Sequence, residues 1–235
     1  MQQLSIVLPY YNPPPGWELR VWEAYQTLQK KLLFHPELIV VNDGSLVAQD
    51  KALDFLKSNI PNFRATGYGQ NMGKGAALRH GVALTQGAKI IYTDIDFPYT
   101  TESCLSVWEA LQGQDIVIGI KDKTYYQHLP RARVWISKFL RKMIGLFFRM
   151  PITDTQCGLK GFNQKGKMIF LATTIDRYLC DLEFVYKSFR TKPPLKIAGR
   201  EVRLRDEVAF RKMDAKVLIS EFFNFLKILR RKSHL

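Results

Sequence analysis

Four short runs dominated by aliphatic and β-branched residues recur along the chain: LSIVLP (4–9), LIVVND (38–43), AKIIYTD (88–94) and DIVIGI (115–120). Each is bounded by Pro, Asn, Asp or Gly, the pattern of a buried strand. Longer amphipathic stretches such as GSLVAQDKALDFLKSN (44–59) separate them and suit helices. Strand alternating with helix predicts an α/β fold: a mostly parallel central sheet with helices on both faces. Residues 155–163 (TQCGLKGFN) and 195–205 (LKIAGREVRLR) are expected to supply later strands. No linker, repeat or low-complexity tract interrupts the pattern, so 235 residues, 46% of them hydrophobic, fit one large domain.

Two further stretches have helical periodicity with a basic side. In residues 131–149, Ile136, Phe139, Leu140, Met143, Ile144 and Phe147 share one face, with Arg131, Lys138, Lys142 and Arg149 opposite. Either an interfacial helix or a core-facing helix with a solvated basic side satisfies that pattern. The tail repeats it: Leu218, Phe222, Phe225, Leu226 and Leu229 share a face, and Arg230, Arg231 and Lys232 close the run. Residues 1–212 are therefore expected to form the main domain and 213–235 an amphipathic basic helix. Nowhere do 18 apolar residues follow one another, so membrane contact is expected to be peripheral.

Charge narrows the partners. Thirty-five Lys and Arg against 21 Asp and Glu give a formal net charge of +14, which points to an anionic partner such as a phosphorylated substrate, a membrane surface or nucleic acid. No RNA-recognition or zinc-finger pattern is present, so a nucleic-acid partner is not expected. Cys104, Cys157 and Cys180 lack metal-ligand spacing and are expected to be reduced thiols in a cytosolic compartment. The N-terminus lacks the basic region and cleavage site of a signal peptide.

The polar clusters fall just beyond the strands, on the sheet edge where such folds bind ligands: PYYN, NDGS, TDIDFP and GIKDK. In TDIDFP, Asp94 and Asp96 would point to the same side of an extended segment. Two anions so placed repel unless a cation lies beside them, and a hard divalent ion, Mg²⁺ or Mn²⁺, would relieve that and grip a diphosphate. Alternatively Asp96 caps the next helix and Asp94 sits in a solvated turn. In NMGKGAALRHG, Gly73 and Gly75 precede a helix, so backbone N–H groups and Lys74 could face a phosphate. A glycine-permitted helix start explains the same residues. The P-loop spacing fails, and so does the dinucleotide fingerprint.

Taken together, SIVLPYYN, VVNDGS, NMGKGAALRHG, YTDIDFP and DTQCGLKGF resemble, in order and spacing, the family 2 glycosyltransferases of the GT-A fold. More narrowly they resemble the polyprenyl-phosphate hexosyltransferases of the dolichyl-phosphate glucosyltransferase and mannose synthase type, with a lean toward the glucosyl branch. The resemblance covers roughly residues 4–205. It implies a Rossmann-like nucleotide-binding domain with amphipathic helices on the membrane side. It also implies a nucleotide-sugar donor, UDP-glucose favoured over GDP-mannose, a polyprenyl-phosphate acceptor, and an anionic membrane surface or membrane partner protein at the cytoplasmic face.

Residue by residue, the resemblance places Pro9, Tyr11, Asn12 and Asp43 at the donor's base and ribose, and Gly73 and Lys74 beside the donor. Asp94 and Asp96 take the metal, Mg²⁺ or Mn²⁺. Arg133 and Ser137 match the arginine and serine that hold the acceptor phosphate in mannose synthases, and Lys121 stands where those enzymes usually carry another arginine; holding a phosphate's charge also suits Arg131. Asp154 and Gln156, with Asp181 and Glu183, lie near the site; a solvated helix face is the alternative for the last two. The chain departs from the family pattern at Pro13, where glutamate is common, at Asn42 in place of aspartate, and at Phe97 after the D-x-D. Arg211 and Lys212 only echo the serine and lysine expected after the last strand. A phosphate acceptor has a second pKa of about 6 and attacks without a strong base. A hydroxyl acceptor would instead need one of these carboxylates as base. In-line attack inverts the anomeric centre.

Overall fold

The computed structural model describes residues 3–122, 131–205 and 215–232; the side chains of residues 131–133, 215, 216, 218, 231 and 232 lie outside that description. In chain order the elements are β1 (Leu4–Tyr10), α1 (Trp17–Leu32), β2 (Glu37–Asp43), α2 (Asp50–Asn59), β3 (Phe63–Tyr68), α3 (Lys74–Leu84), β4 (Lys89–Tyr92), α4 (Thr101–Ala110) and β5 (Ile116–Lys121). There follow α5 (Arg131–Phe148), β6 (Lys160–Asn163), α6 (Gln164–Leu171), α7 (Cys180–Phe189), β7 (Ile197–Val202) and α8 (Ala215–Lys232).

The strands form one sheet in the order β3-β2-β1-β4-β6-β5-β7. All neighbours are parallel except β6, which runs antiparallel to both β4 and β5. Strand order reverses between β1 and β4, with Val7 of β1 registered between Ile39 and Tyr92. The carboxyl ends of β1, β2 and β4 therefore open onto one crevice.

Alternation along β1 divides the core in two. Ile6 and Leu8 pack with α1, α2 and α4, while Val7 packs under α3, α6 and α7. Helix α3 approaches the sheet through Gly81, where an added Cβ would fall 2.6 Å from Val7 and 2.7 Å from Val41. Both amphipathic stretches add to the second layer: Ile144 and Phe148 of α5 and Phe225 and Ile228 of α8 are buried there. The rings of Phe148 and Phe225 meet edge to face at 5.5 Å, so α5 and α8 pack against each other.

Several expectations change. The strand expected over 155–163 begins only at Lys160, because 154–158 forms a loop beneath the D-x-D, and the expected 195–205 strand covers Ile197–Val202. β3 was not among the predicted runs: FRATGY is half-exposed at the sheet edge and lacks an apolar signature. The apolar faces are also redistributed. Phe225 and Leu229, expected on an interfacial face, pack on the core, and among the described side chains of α8 Ile219, Phe222 and Phe223 are the exposed apolar ones. On α5 the core takes Leu140, Met143 and Ile144, while Trp135, Phe139 and Leu146 are exposed. Among the described residues no helix is long and apolar enough to cross a membrane. The three cysteines are buried and free.

Candidate active site

Strand β4 ends at Tyr92, and the D-x-D that follows is a turn rather than an extended segment. The Phe97 N–H donates to Asp94 O at 3.0 Å, and Phe97 takes a positive φ of 42°. The two carboxylates nevertheless remain close enough to interact: burial, then the Asp94 charge, raises the Asp96 carboxyl above its ordinary value, opposed by its own backbone, Arg205 and Lys74. Asp94 Oδ1 accepts from Lys74 Nζ at 2.5 Å, and the Asp94 side chain is 41% exposed.

The turn is held from two sides. On one, Tyr99 Oη accepts the Gly158 N–H at 3.0 Å and lies 3.3 Å from Cys157 Sγ. Gly158 itself lies against Asp94: an added Cβ would sit 2.5 Å from Oδ2. On the other side, the residues after β7 clamp it. Thr100 N–H donates to Arg203 O, Arg205 N–H to Pro98 O, and Arg205 Nη2 to Asp96 O at 2.8 Å. Arg205 is a site residue that the sequence reading missed; the basic RLR run closing the last strand was its only signal.

The glycine-flanked lysine is positioned by remote partners. The Asp43 carboxylate accepts from Asn71 Nδ2, Met72 N–H and Gly73 N–H, all between 2.9 and 3.0 Å. Gly75 and Ala76 N–H both donate to Asp176 O. These N–H groups, expected to face a phosphate, are thus taken by protein acceptors, and Asp43, expected at the ribose, organises the loop. What remains at the crevice is the Lys74 side chain. Burial pushes its ammonium toward deprotonation, but Asp94 and then Asp181 outweigh that and hold its pKa well above the ordinary value.

Beside the crevice, Asn12 has a positive φ of 44° and bridges to the loop after β2: its N–H donates to Ser45 Oγ and its Oδ1 accepts Leu46 N–H, both at 3.0 Å. Asn42, which replaces an aspartate of the family pattern, accepts the Ser45 N–H at 2.8 Å. Pro9 is buried in β1, while Tyr11 is exposed at the mouth.

Lys121, expected at the acceptor, and Asp154, expected near the site, form a buried pair. Lys121 N–H donates to Asp154 Oδ2 at 2.9 Å, its Nζ lies 3.6 Å from Oδ1, and Nζ also donates to Gln156 O at 3.1 Å. The pair fixes the 154–158 loop that supports Asp94. The solvated-face alternative for Asp181 and Glu183 is wrong, since both are buried. Asp181 accepts from Tyr92 Oη and, at 2.8 Å, from Lys160 Nζ, a lysine with no exposed surface. Glu183 accepts the Thr174 and Ile175 N–H groups at 2.7 and 2.8 Å and pairs with Lys187. Ser137 is half-buried on α5. The side chains of Arg131 and Arg133 lie outside the described residues, as do Arg211 and Lys212 altogether.

The fold and the strand-exit aspartates at its crevice define a GT-A domain. The model of the glycosyl transferase family 2 matches residues 5–167, and the chain belongs to that family. A dolichyl-phosphate beta-glucosyltransferase of Trichomonas vaginalis is 30% identical over 195 residues, covering 77% of this chain and 60% of the relative. Its counterpart in Homo sapiens is 28% identical over 215 residues, covering 83% and 65%. The chain thus spans less than two thirds of these relatives. In fold it is similar to the mannosyl-3-phosphoglycerate synthase of Rubrobacter xylanophilus (TM-score 0.67, 16% identity, 100% of this chain and 76% of that one). It is likewise similar to the glucosyl-3-phosphoglycerate synthase of Mycobacterium tuberculosis (TM-score 0.65, 18% identity, 92% and 75%).

Proposed function

We propose that the protein is an inverting hexosyltransferase that moves glucose from UDP-glucose to a polyprenyl phosphate at a membrane surface. The observation that carries this reading is the Asp94–Asp96 turn beside Lys74, at the point where strand order reverses, in a chain whose relatives are dolichyl-phosphate beta-glucosyltransferases. Asp94 and Asp96 fit a divalent ion: two interacting carboxylates, one of them open to solvent on one side, on a turn held from two sides. Among the described residues no third His, Cys, Asp or Glu joins them, and a hard ion with about six oxygen ligands would also take oxygens of the donor and water. The M. tuberculosis protein similar in fold is crystallised with Mn²⁺ and UDP. A bound Mg²⁺ or Mn²⁺ neutralises charge developing on the diphosphate leaving group. Lys74 adds a second cation there, and Asn12, with the loop it ties to Ser45 and Leu46, shapes the nucleoside side.

The acidic residues favour a phosphate acceptor over a sugar hydroxyl. Asp154, Asp181 and Glu183 are buried and already accept strong hydrogen bonds, so none is placed as a general base. A dianionic phosphate needs none; Arg131, Arg133 and Ser137 at the start of α5 would hold it. Exposed Trp135 and Phe139 on α5 and Ile219, Phe222 and Phe223 on α8, among Lys138, Lys142 and Arg230, suit an anionic bilayer interface. That bilayer would be the cytoplasmic leaflet.

The test is transfer of radiolabel from UDP-glucose or GDP-mannose in liposomes, with polyprenyl phosphate or a saccharide as acceptor and Mn²⁺ present. Label from UDP-glucose should reach the lipid phosphate. Transfer to the saccharide alone would overturn the acceptor, and transfer from GDP-mannose alone the donor.

A further inference from the structure

The ammonium of Lys74 is bonded to Asp94 Oδ1, the carboxylate that the proposed function assigns to the divalent ion. Its presence there is built in. Gly73 N–H is fixed on Asp43, and Gly75 and Ala76 N–H are fixed on Asp176 O. A Cβ at Gly73 would fall 2.5 Å from Asp176 O, and one at Gly75 2.4 Å from Ile175 O, so the backbone carrying the lysine has no room to withdraw. On one face Asp94 lies against Gly158, with Oδ2 over its Cα, and on the other it opens to solvent.

A divalent ion binds a carboxylate oxygen at about 2.1 Å. The same carboxylate would then carry a dication and an ammonium, whose repulsion in a half-buried site is far stronger than in water. The ammonium, unlike the backbone, can swing. Asp181 gives it a second anion within electrostatic reach, and the open side of the crevice is where the donor's phosphates would lie.

We infer that Lys74 is an internal counter-ion that competes with the divalent ion for Asp94, so that ion binding expels the ammonium from the carboxylate and frees it for the donor diphosphate. This rests on the reading of Asp94 as a metal ligand. It reverses the ordinary expectation for an ion pair at a binding site: removing the lysine should improve metal binding while harming nucleotide binding.

The experiment measures Mn²⁺ binding to the whole chain by the paramagnetic resonance of free Mn²⁺, first without nucleotide. Lys74→Met, which keeps the apolar stem, should bind Mn²⁺ at least about fivefold more tightly than the parent, since the competing charge is gone. With Mn²⁺ saturating, the same variant should bind UDP more weakly. Unchanged or weaker Mn²⁺ binding by the variant overturns the inference and leaves the metal site standing. Failure of the parent to bind Mn²⁺, with or without UDP, overturns the metal reading as well. A second measurement needs no variant: amine acylation at Lys74, read by mass spectrometry, should rise when Mn²⁺ alone is added to the parent protein. Labelling that does not change would overturn the inference even if Lys74→Met failed to fold.

Discussion

Gly158→Ala should separate activity from stability, because the atom it strikes is the tip of the Asp94 side chain, the carboxylate proposed for the metal. The new methyl carbon would lie 2.5 Å from Asp94 Oδ2, 3.3 Å from its Cγ and 3.6 Å from Tyr99 Cε2, with no backbone atom among those neighbours. To reach ordinary contact, the carboxylate must retreat by roughly an ångström, and its 41% exposure gives it solvent to retreat into. The stability terms nearly cancel: alanine restricts the unfolded chain by about 0.4–1 kcal/mol, and a partly exposed ion pair with Lys74 is worth at most about 1 kcal/mol. The melting temperature should therefore stay within about 4 °C of the parent. Catalysis should not be so tolerant: an ångström of misplacement costs about 100-fold, and the lost Asp94 position removes both the carboxylate proposed for the metal and the partner of Lys74. Steady-state transfer from UDP-glucose and a thermal melt on the same preparation provide the two readouts. Activity within threefold of the parent would refute the importance of Asp94's position. A drop of 10 °C would show that the backbone, not the side chain, yields. Gly119→Ala is the contrasting control, since its methyl would meet Leu159 O at 2.7 Å and overpacking against backbone costs about 1–3 kcal/mol.

Asp96→Asn should abolish transfer and metal-dependent nucleotide binding while leaving the far-ultraviolet circular dichroism unchanged; near-normal turnover with Mn²⁺ supplied would exclude the D-x-D assignment. On α8, Phe225→Ala should lose about 3 kcal/mol in a denaturant melt, because its ring is buried against Phe147 and Phe148. Phe222→Ser with Phe223→Ser should melt normally but leave anionic liposomes in a flotation assay, and retained flotation would reject the membrane face. Glu183 supplies a pH dependence. Burial raises its carboxyl, but the Thr174 and Ile175 N–H groups and Lys187 hold it below the ordinary 4.5, so the unfolded chain takes up the proton first. Its stabilisation is complete above about pH 4.5 and is lost as pH falls through the folded value. Melting temperature should fall more steeply from pH 5 to 3 in the parent than in Glu183→Gln, and parallel curves would show that Glu183 is not the group responsible.

The strands that face two apolar layers were readable in the sequence because β-branched runs have few other uses, and the D-x-D was readable because two acids at a strand exit conflict with burial. The half-polar edge strand β3 was not, since nothing in FRATGY distinguishes it from a loop. Helix periodicity located α5 and α8 but could not choose between two apolar sides: Phe225 and Phe222 look alike in sequence, and only packing on Phe148 separates them. The site residues split in the same way. Asp94, Asp96 and Lys74 come together as expected. The tasks of Asp43, Gly158 and Arg205 are defined by partners tens of residues away, which no local spacing encodes.

That dependence on remote partners bears on the order of events in folding. Asp43 waits for the 71–73 loop, Asp94 lies over Gly158, and the Asp96 turn is closed by Arg203 and Arg205 behind β7. Contacts of such long sequence separation form late, after local helices and hairpins have already appeared. A chain emerging from the ribosome therefore carries Asp94, Asp96 and Lys74 before it has a crevice to hold them. The clamp on the D-x-D turn needs β7 docked on β5, because Arg203 and Arg205 follow directly on that strand.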